Sequence, residues 1–589
     1  LSAPARIPPQ GGHHGIDFST TLDERTKAFT VAAAMLGMFL AALDQTIVST
    51  AMPRIAQELS GLDLYTWVTT AYILASTAMV PVYGKLSDIY GRKAILLTGI
   101  GLFLAASVAC GAAGSMKALV VWRAFQGLGA AALTSTAFAV VADLYEPRKR
   151  AKVQGFFGAV FGLSSVIGPI LGGVLTEQLS WRSVFYVNVP IGAVAVAFIL
   201  AKMPALKSGR SASIDFLGAL LIVVGSVALM LGLSLDKAAH PWGSPETFGL
   251  LALGLVAVAL FVVVETKVHD PILPMRLFKN PAFASSALVS FLFGGVFFGV
   301  LLFLPLFMSK VKGVSDSANG TTLLPFSLAM SPAAVLGGRL ASRVGRIKPL
   351  VVACLVVCAA GYGLLSTMDG DTSRFVIGAF LVLLALGIGP NLSLMTIAIQ
   401  SSVEKRDIGV ATSARQFFQQ LGGAFGAAIL GAVLASTLGA EMQSRMTPIV
   451  AQLPAEARAQ MDFAKMSRRS FGEGGSGGGQ NPLEKVSAGI AAKFDAQAAA
   501  VDANPAMDPA TKAQAKAGLA AGKAQALEGA TRIGAQFGEA VKATFAQAVT
   551  HTFVWSVGFT LLTLVAALFL KDVKFGGDHD HGAAPPAEM

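Results

Sequence analysis

From residue 30 to residue 440 the chain is a succession of apolar runs, each of about 18 residues or more, separated by short polar connections. A run of that length crosses about 30 Å of hydrocarbon as an α-helix. Only 13% of the 589 residues are charged and 54% are hydrophobic, whereas soluble domains carry about 25% charged residues. Mean hydropathy is +0.64. The runs are too long and too many for the buried strands of a soluble α/β enzyme. The short alternating segments of a membrane β-barrel are absent. The 63 glycines suit membrane helices, because a residue without a side chain lets backbones approach closely. The expected fold is therefore an all-α polytopic membrane protein.

Fourteen spans are expected, near 29–51, 66–86, 94–114, 119–142, 153–176, 183–202, 214–235, 247–265, 284–307, 319–340, 349–367, 375–397, 408–437 and 548–570. The connections between them alternate in charge. YGRK (90–93), EPRKRAK (146–152), KSGR (207–210), RLFKN (276–280), SRVGRIK (342–348) and EKR (404–406) form a basic set. SGLD (60–63), AGSMK (113–117), DKAAHPWGSPE (236–246) and MDGDTSR (368–374) are much poorer in Lys and Arg. The positive-inside rule places the basic set in the cytoplasm together with both termini. An even number of spans requires the same. No basic segment leads straight into a short apolar core with a cleavage site, so the first span is expected to direct insertion without a cleaved signal.

This reading divides the chain into an N-terminal tail (1–28), a six-helix bundle (29–202), two inserted helices with their loops (203–280), a second six-helix bundle (281–570) and a C-terminal tail (571–589). The second bundle is interrupted at 440–547 by an Ala- and Gly-rich extracytoplasmic insertion. Within it, GEGGSGGGQ (472–480) reads as a flexible break. Two Ala/Lys/Gln-rich stretches then favour helix, with a turn at Asn504, Pro505, Met507, Asp508 and Pro509. Such a long translocated loop escapes the charge rule. Cys110, Cys354 and Cys358 all sit in apolar runs and form neither a disulfide framework nor a metal site. The tail with His579, Asp580 and His581 reads as a solvated terminus.

GKLSDIYGRK (84–93) and GRLASRVGRI (338–347) are related. Gly84 matches Gly338, Leu86 matches Leu340, Gly91 matches Gly345 and Arg92 matches Arg346. They fall in the second-to-third and tenth-to-eleventh connections, as expected of two related halves. Asp88 has Ser342 opposite it, so its charge interaction has no counterpart in the second half. Gly84 and Gly91 permit a tight turn and close packing. Asp88 is placed to meet an arginine or a helix N-terminus. Arg92 and Lys93 hold the loop at headgroups or brace a gate, or are topogenic only.

These motifs carry a family resemblance. GKLSDIYGRK resembles the cytoplasmic signature of the major facilitator superfamily, and RAFQGLGAAAL (123–133) its fourth-helix signature with an embedded arginine. LDQTIVSTAMP (43–53) and WRSVFYVNVPIG (181–192) resemble stretches of its fourteen-helix drug–proton antiporter branch. Gly155, Gly168, Pro169, Gly172 and Gly173 match the fifth-helix antiporter motif, with Ser164 where glycine is usual. The resemblance implies two six-helix bundles plus two inserted helices, proton-coupled export of lipophilic, cationic drugs or dyes, a bacterial inner membrane and a functional monomer. It also implies that the fifth-helix stretch seals against leak. The insertion at 440–547 is not explained by it. Export of a lipid or another amphiphile by the same fold is the alternative, the insertion then aiding transfer.

Asp44 stands inside FLAALDQTIVSTAMP (39–53), and a carboxylate within a span is costly unless it faces a cavity or a partner. Burial disfavours its charge and a nearby cation favours it. Asp44 is thus expected to carry protons, to counter a cationic cargo, or both; a structural carboxylate is the competing reading. Arg123 is its natural partner, with Gln126 on the same helix face, although Arg123 also reads as a structural hydrogen-bond hub. Glu177 is either a second protonation site or a solvated loop residue. Arg415, Gln416, Gln419 and Gln420 line the cavity or latch helices together. GIGPN (387–391) is either a helix break that frees a carbonyl or a bend. No Walker-type phosphate loop and no metal or nucleophile constellation is present. The expected cofactors are therefore none, with protons as the coupling ion. The expected partners are a small lipophilic or cationic substrate and membrane lipids, without nucleic acid.

Overall fold

The computed structural model describes residues 21–571 apart from 62–63, 207–212, 236, 238, 315–322, 405–406, 451–481 and 505–506. The Gly-rich segment 472–480, the basic connection 207–210 and the His579–His581 tail lie outside them. Every long element is helical. In chain order they are α1 Glu24–Glu58, α2 Tyr65–Tyr90, α3 Arg92–Gly111, α4 Met116–Leu144, α5 Pro147–Gln178, the short α6 Ser183–Tyr186, and α7 Asn188–Lys202. Then follow α8 Phe216–Ser234, α9 Pro245–Glu265, α10 Pro281–Lys310, α11 Leu324–Val344, α12 Lys348–Leu365, α13 Arg374–Ser401, α14 Ile408–Val450, α15 Pro482–Ala503 and α16 Pro509–Leu568.

Among the described residues twelve helices are long and apolar enough to cross a membrane, α6 and α7 together forming one of them. The chain is a multi-pass, all-α membrane protein. The two expected spans outside those twelve are α2 and α11, which are helices of 26 and 21 residues. Their hydropathy is diluted by residues such as Thr69, Thr70, Lys85 and Asp88 in α2, and Ser331, Arg339 and Arg343 in α11.

Local signals start several of these helices. Asp23, Ser115 and Ser373 accept the backbone N–H of Thr26, Ala118 and Val376, capping α1, α4 and α13. Two points left open or unforeseen in the sequence are decided in the second half. GIGPN is no break: α13 runs through Pro390, and the Asn391 side chain donates to the Gly387 carbonyl at 3.0 Å. A proline has no N–H for the carbonyl four residues back, here that of Leu386; the Asn391 amide bonds the next carbonyl, and α13 continues without that one backbone bond. The last span is also not a separate helix. It is the end of α16, whose 60 residues make a rod of about 90 Å, three times what a bilayer requires. As expected, the helix breaks between Ala503 and Pro509, where α15 ends and α16 begins, and α15 packs back along the rod through Lys516–Asp502 and Lys523–Asp495 ion pairs.

One apolar core cluster is drawn from residues 289–570. Two others lie within residues 31–206. A fourth joins α2, α8 and the start of α10 to α14. The inserted helices α8 and α9 pack on each other, and α8 also packs on α2 and α14. Glycine seams tighten both groups. A Cβ at Gly422 of α14 would lie 1.7 Å from the backbone oxygen of Phe291 in α10. Backbone cannot swing aside, so Gly422→Ala is expected to cost about 1–3 kcal/mol. Thermal unfolding of the purified protein should register the loss, and an unchanged midpoint would mean that α10 and α14 are not apposed here.

The N-terminal group (α1–α7) meets the C-terminal group (α10–α16) along α5–α11, α2–α14, α5–α13 and α4–α14. These crossings run from the middle of the helices to the end that carries the YGRK and SRVGRIK connections, hereafter the basic end. Gln154 donates to Gln400 at 2.9 Å, and Thr77 to Gln420 at 2.6 Å. Neither α1 nor α10 makes extensive contact with the opposite group among the described residues.

Candidate functional site

Asp44 lies in the middle of α1, and its side chain is 0% exposed. Arg123, eight residues into α4, forms an ion pair with it at 2.5 Å and also donates to Gln126 Oε1 at 2.7 Å. Gln126 returns its amide to Asp44 Oδ1 at 2.8 Å. Helical spacing presents Arg123 and Gln126 together, so α4 offers the carboxylate one charged and one neutral donor. A third comes from Asn188, the first residue of α7, at 2.9 Å.

Ser107 of α3 ties these donors together. It accepts from Gln126 at 3.1 Å and Asn188 at 2.9 Å, and donates to the Phe185 carbonyl at 2.9 Å. The Tyr72 ring of α2 covers the guanidinium, 4.3 Å from Cζ to ring centroid, a cation–π contact. Asn188 and Ser107 were not assigned a role from sequence. The available signal was a lone amide within WRSVFYVNVPIG and a lone hydroxyl within AASVAC, each in an otherwise apolar setting.

Thus α1, α2, α3, α4 and α7 converge on one neutral pair inside the N-terminal group. Removing one member of a buried ion pair leaves an uncompensated charge and costs about 3–5 kcal/mol. Loss of the Asp44 charge would likewise leave Arg123 buried without its counter-charge. The integrity of the pair therefore bears on the packing of all five helices.

The fifth-helix residues divide into two surfaces. A Cβ at Gly155 would meet the Val335 Cα of α11 at 2.7 Å, across the seam between the groups. Gly168 and Gly172 instead press on Thr46, Ile47 and Thr50 of α1, within the N-terminal group. Ser164 is buried and its carbonyl accepts from Thr46 at 2.9 Å. Pro169 lies inside the uninterrupted α5, and Gly173 has open space where a Cβ would be. Glu177 is exposed near the end of α5 and is not brought to Asp44.

At the basic end, Arg92 pairs with Asp88 at 2.5 Å and Asp143 at 2.8 Å, and Ser87 accepts from it as well. Gly91 turns the chain with φ 92°, where a side chain is strained. Lys93 donates to the carbonyls of Leu200 and Met203 at the end of α7. Gly84 lies against Ser413, and Asp88 against Gly409 in the first turn of α14. The carboxylate pairs with Arg92 and lies beside the first turn of α14. Ser342, opposite Asp88 in the repeat, bonds to its own helix at Arg339.

Arg415 and Gln419 of α14 are buried and bonded to each other at 2.7 Å. They lie far from Asp44. Arg415 Cζ is 5.8 Å from the Phe138 ring, and Phe138 is about 22 Å along α4 from Arg123.

An ion pair buried among membrane helices and two groups of helices meeting at one end define a membrane transporter. The profile of the Major Facilitator Superfamily matches residues 34–427, and the chain belongs to that family. It is a secondary active transporter, not an enzyme. Multidrug transporter protein MdtP of Bacillus subtilis (strain 168) is 40% identical over 431 residues, 73% of this chain and 80% of that protein. Multidrug resistance protein 3 of the same organism is 38% identical over 415 residues, 70% of this chain and 81% of that protein. Among solved structures, the human organic anion transporter MFSD10 is similar in fold, with a TM-score of 0.53 and 17% identity over 69% of this chain and 93% of that one.

Proposed function

We propose that this protein exports small lipophilic molecules in exchange for protons, with Asp44 as the proton carrier and Arg123 as its switchable partner. The observation that carries the reading is the Asp44–Arg123 pair, sealed at 0% and 1% side-chain exposure. A sealed neutral pair holds no net charge, and a proton reaching it releases a cation to seek new partners. The same enclosure favours Asp44 as proton carrier over direct contact with cargo. A cationic cargo, the simplest expectation from Asp44 alone, would have to displace Arg123. The relatives' names, both multidrug proteins, support a broad lipophilic cargo.

In this reading α2 and α11 also cross the membrane, giving fourteen spans in two six-helix halves with α8 and α9 inserted. Both termini and the basic end face the cytoplasm of a bacterial cell, and the 440–547 segment faces outward. The protein works as a monomer. With the halves in contact toward the basic end, the conformation is closed inward, and rocking of the halves exchanges access. One proton moving down 100 mV supplies about 2.3 kcal/mol, enough for a roughly fiftyfold cargo gradient.

Inside-out vesicles test this. Energised by a proton gradient, they are expected to accumulate a lipophilic dye and to lose it on adding an uncoupler. Accumulation indifferent to the uncoupler would remove the proton from the scheme. A lipid cargo is the second reading, favoured by a largely apolar crevice of about 420 Å³ beside the α5–α11 seam, lined by Phe156, Val335, Leu336 and Arg339 among others. Lipid flipping in the same vesicles without dye uptake would select it.

A further inference from the structure

Four arginines are buried among the described residues: Arg92, Arg123, Arg150 and Arg415. Three have acceptors suited to a cation. Arg92 has two carboxylates, and Arg123 has Asp44. Arg150 has the carbonyls of Ala142 and Tyr145 and the Gln400 amide oxygen. Arg415 differs. It is 3% exposed, yet its one hydrogen bond goes to the neutral Gln419, and its Nε–H is buried without a partner. No carboxylate pairs with it among the described residues.

Its neighbour Gln416, 7% exposed, also holds a buried amide oxygen without a donor. Buried charges are normally paired, and an intramembrane ionisable group marks a functional site by default; Arg415 has only the neutral Gln419 and the Phe138 ring beside it among the described residues. The position is specific too. Arg415 lies about 11 Å into α14 from its basic end, where α14 packs on α2 and α4. That seam must part when the basic end opens.

We propose that Arg415, held by Gln419, is the docking point for an oxyanion of the transported molecule, reached when the basic end opens. This rests on the export reading above and narrows its cargo: a lipophilic body bearing a carboxylate or comparable acidic group. A planar guanidinium fork recognises such a group through two parallel hydrogen bonds. Gln419 already fixes one side of the fork, leaving Nε–H free. Asp44 handles the proton about 22 Å away along α4, so cargo and proton occupy separate stations joined by the α4 helix.

The test is dye binding to the purified protein in nanodiscs of zwitterionic phosphatidylcholine. The probes are rhodamine B, which carries a free carboxylate, and its ethyl ester, which does not. Wild type is expected to bind the acid at least tenfold more tightly than the ester. Arg415→Gln should abolish that preference and leave ester affinity unchanged, while Arg415→Lys should retain part of it. Arg415→Gln removes an unpaired buried charge, so its unfolding temperature should hold or rise, which keeps the comparison readable.

Equal weakening of both dyes by Arg415→Gln would make Arg415 a packing element of the seam and overturn the proposal. So would the absence of any preference in wild type. Loss of the preference when phosphatidylglycerol is added would assign the oxyanion to lipid instead of cargo, and would overturn it as well. None of these readouts depends on proton movement, so a failure of Asp44 as proton carrier is distinguishable from a failure here.

Discussion

Arg123→Leu is expected to destabilise the protein by about 3–5 kcal/mol. The leucine removes the only cation paired with Asp44 among the described residues and leaves the carboxylate facing two neutral amides, Gln126 and Asn188. It also removes the group stacked on Tyr72. Adding Asp44→Asn to Arg123→Leu should restore much of the loss, because a neutral pair in the same space leaves no buried charge uncompensated. The restored protein should nevertheless fail to couple export to protons. Thermal unfolding of the two single variants and the double variant gives the interaction energy directly. If Arg123→Leu unfolds within about 0.5 kcal/mol of wild type, the pair does not organise the five helices around it.

Gly155→Ala is expected to shift the balance between conformations. The three atoms nearest the added Cβ would all be backbone of α11: Val335 Cα at 2.7 Å, Ala334 O at 3.0 Å and Val335 N at 3.2 Å. Backbone at that distance cannot yield as the end of a flexible side chain can. Overpacking of this kind costs about 1–3 kcal/mol, and the cost falls only on the conformation in which α5 and α11 touch. The closed basic end should therefore lose roughly five- to a hundredfold in relative population. A cysteine at Gln400, which is 1% exposed at that seam, should react faster with a water-soluble maleimide once the three native cysteines are replaced. Gly172→Ala is the comparison. Its Cβ would strike Thr50 and the Ile47 carbonyl of α1, inside one group, so it should lower stability without changing that labelling rate. Equal rates in wild type and Gly155→Ala would mean that the seam does not gate access.

Much of this was legible in the sequence, for definite reasons. Long apolar runs identify spans because hydrocarbon thickness fixes their length. Asp44 and Arg123 were legible as partners because a charge in a span needs one, and helical spacing brought Gln126 with Arg123. Asn188 and Ser107 were not, since a single neutral polar residue in a span carries no charge imperative and its partner depends on tertiary packing. The division of the fifth-helix motif into a seam glycine, Gly155, and α1-facing glycines, Gly168 and Gly172, follows from which helix lies against each face, and periodicity does not encode that. The continuity of α16 was hidden because its polar and apolar stretches differ in composition but share helix-favouring residues. GIGPN left a break and a bend both open because Pro390 removes a donor, and only the packed helix shows that α13 runs on through it. At Arg415 the residue was legible, but its lack of a counter-charge was not.

Proton release from proteoliposomes on adding a lipophilic substrate dye tests the central claim most directly, with wild type and Asp44→Asn compared at matched folding. The account predicts that dye drives proton movement in the wild type, and that Asp44→Asn abolishes this movement while still binding dye. Undiminished proton exchange in Asp44→Asn would contradict it, placing the proton elsewhere and leaving the Asp44–Arg123 pair a structural element of the N-terminal group.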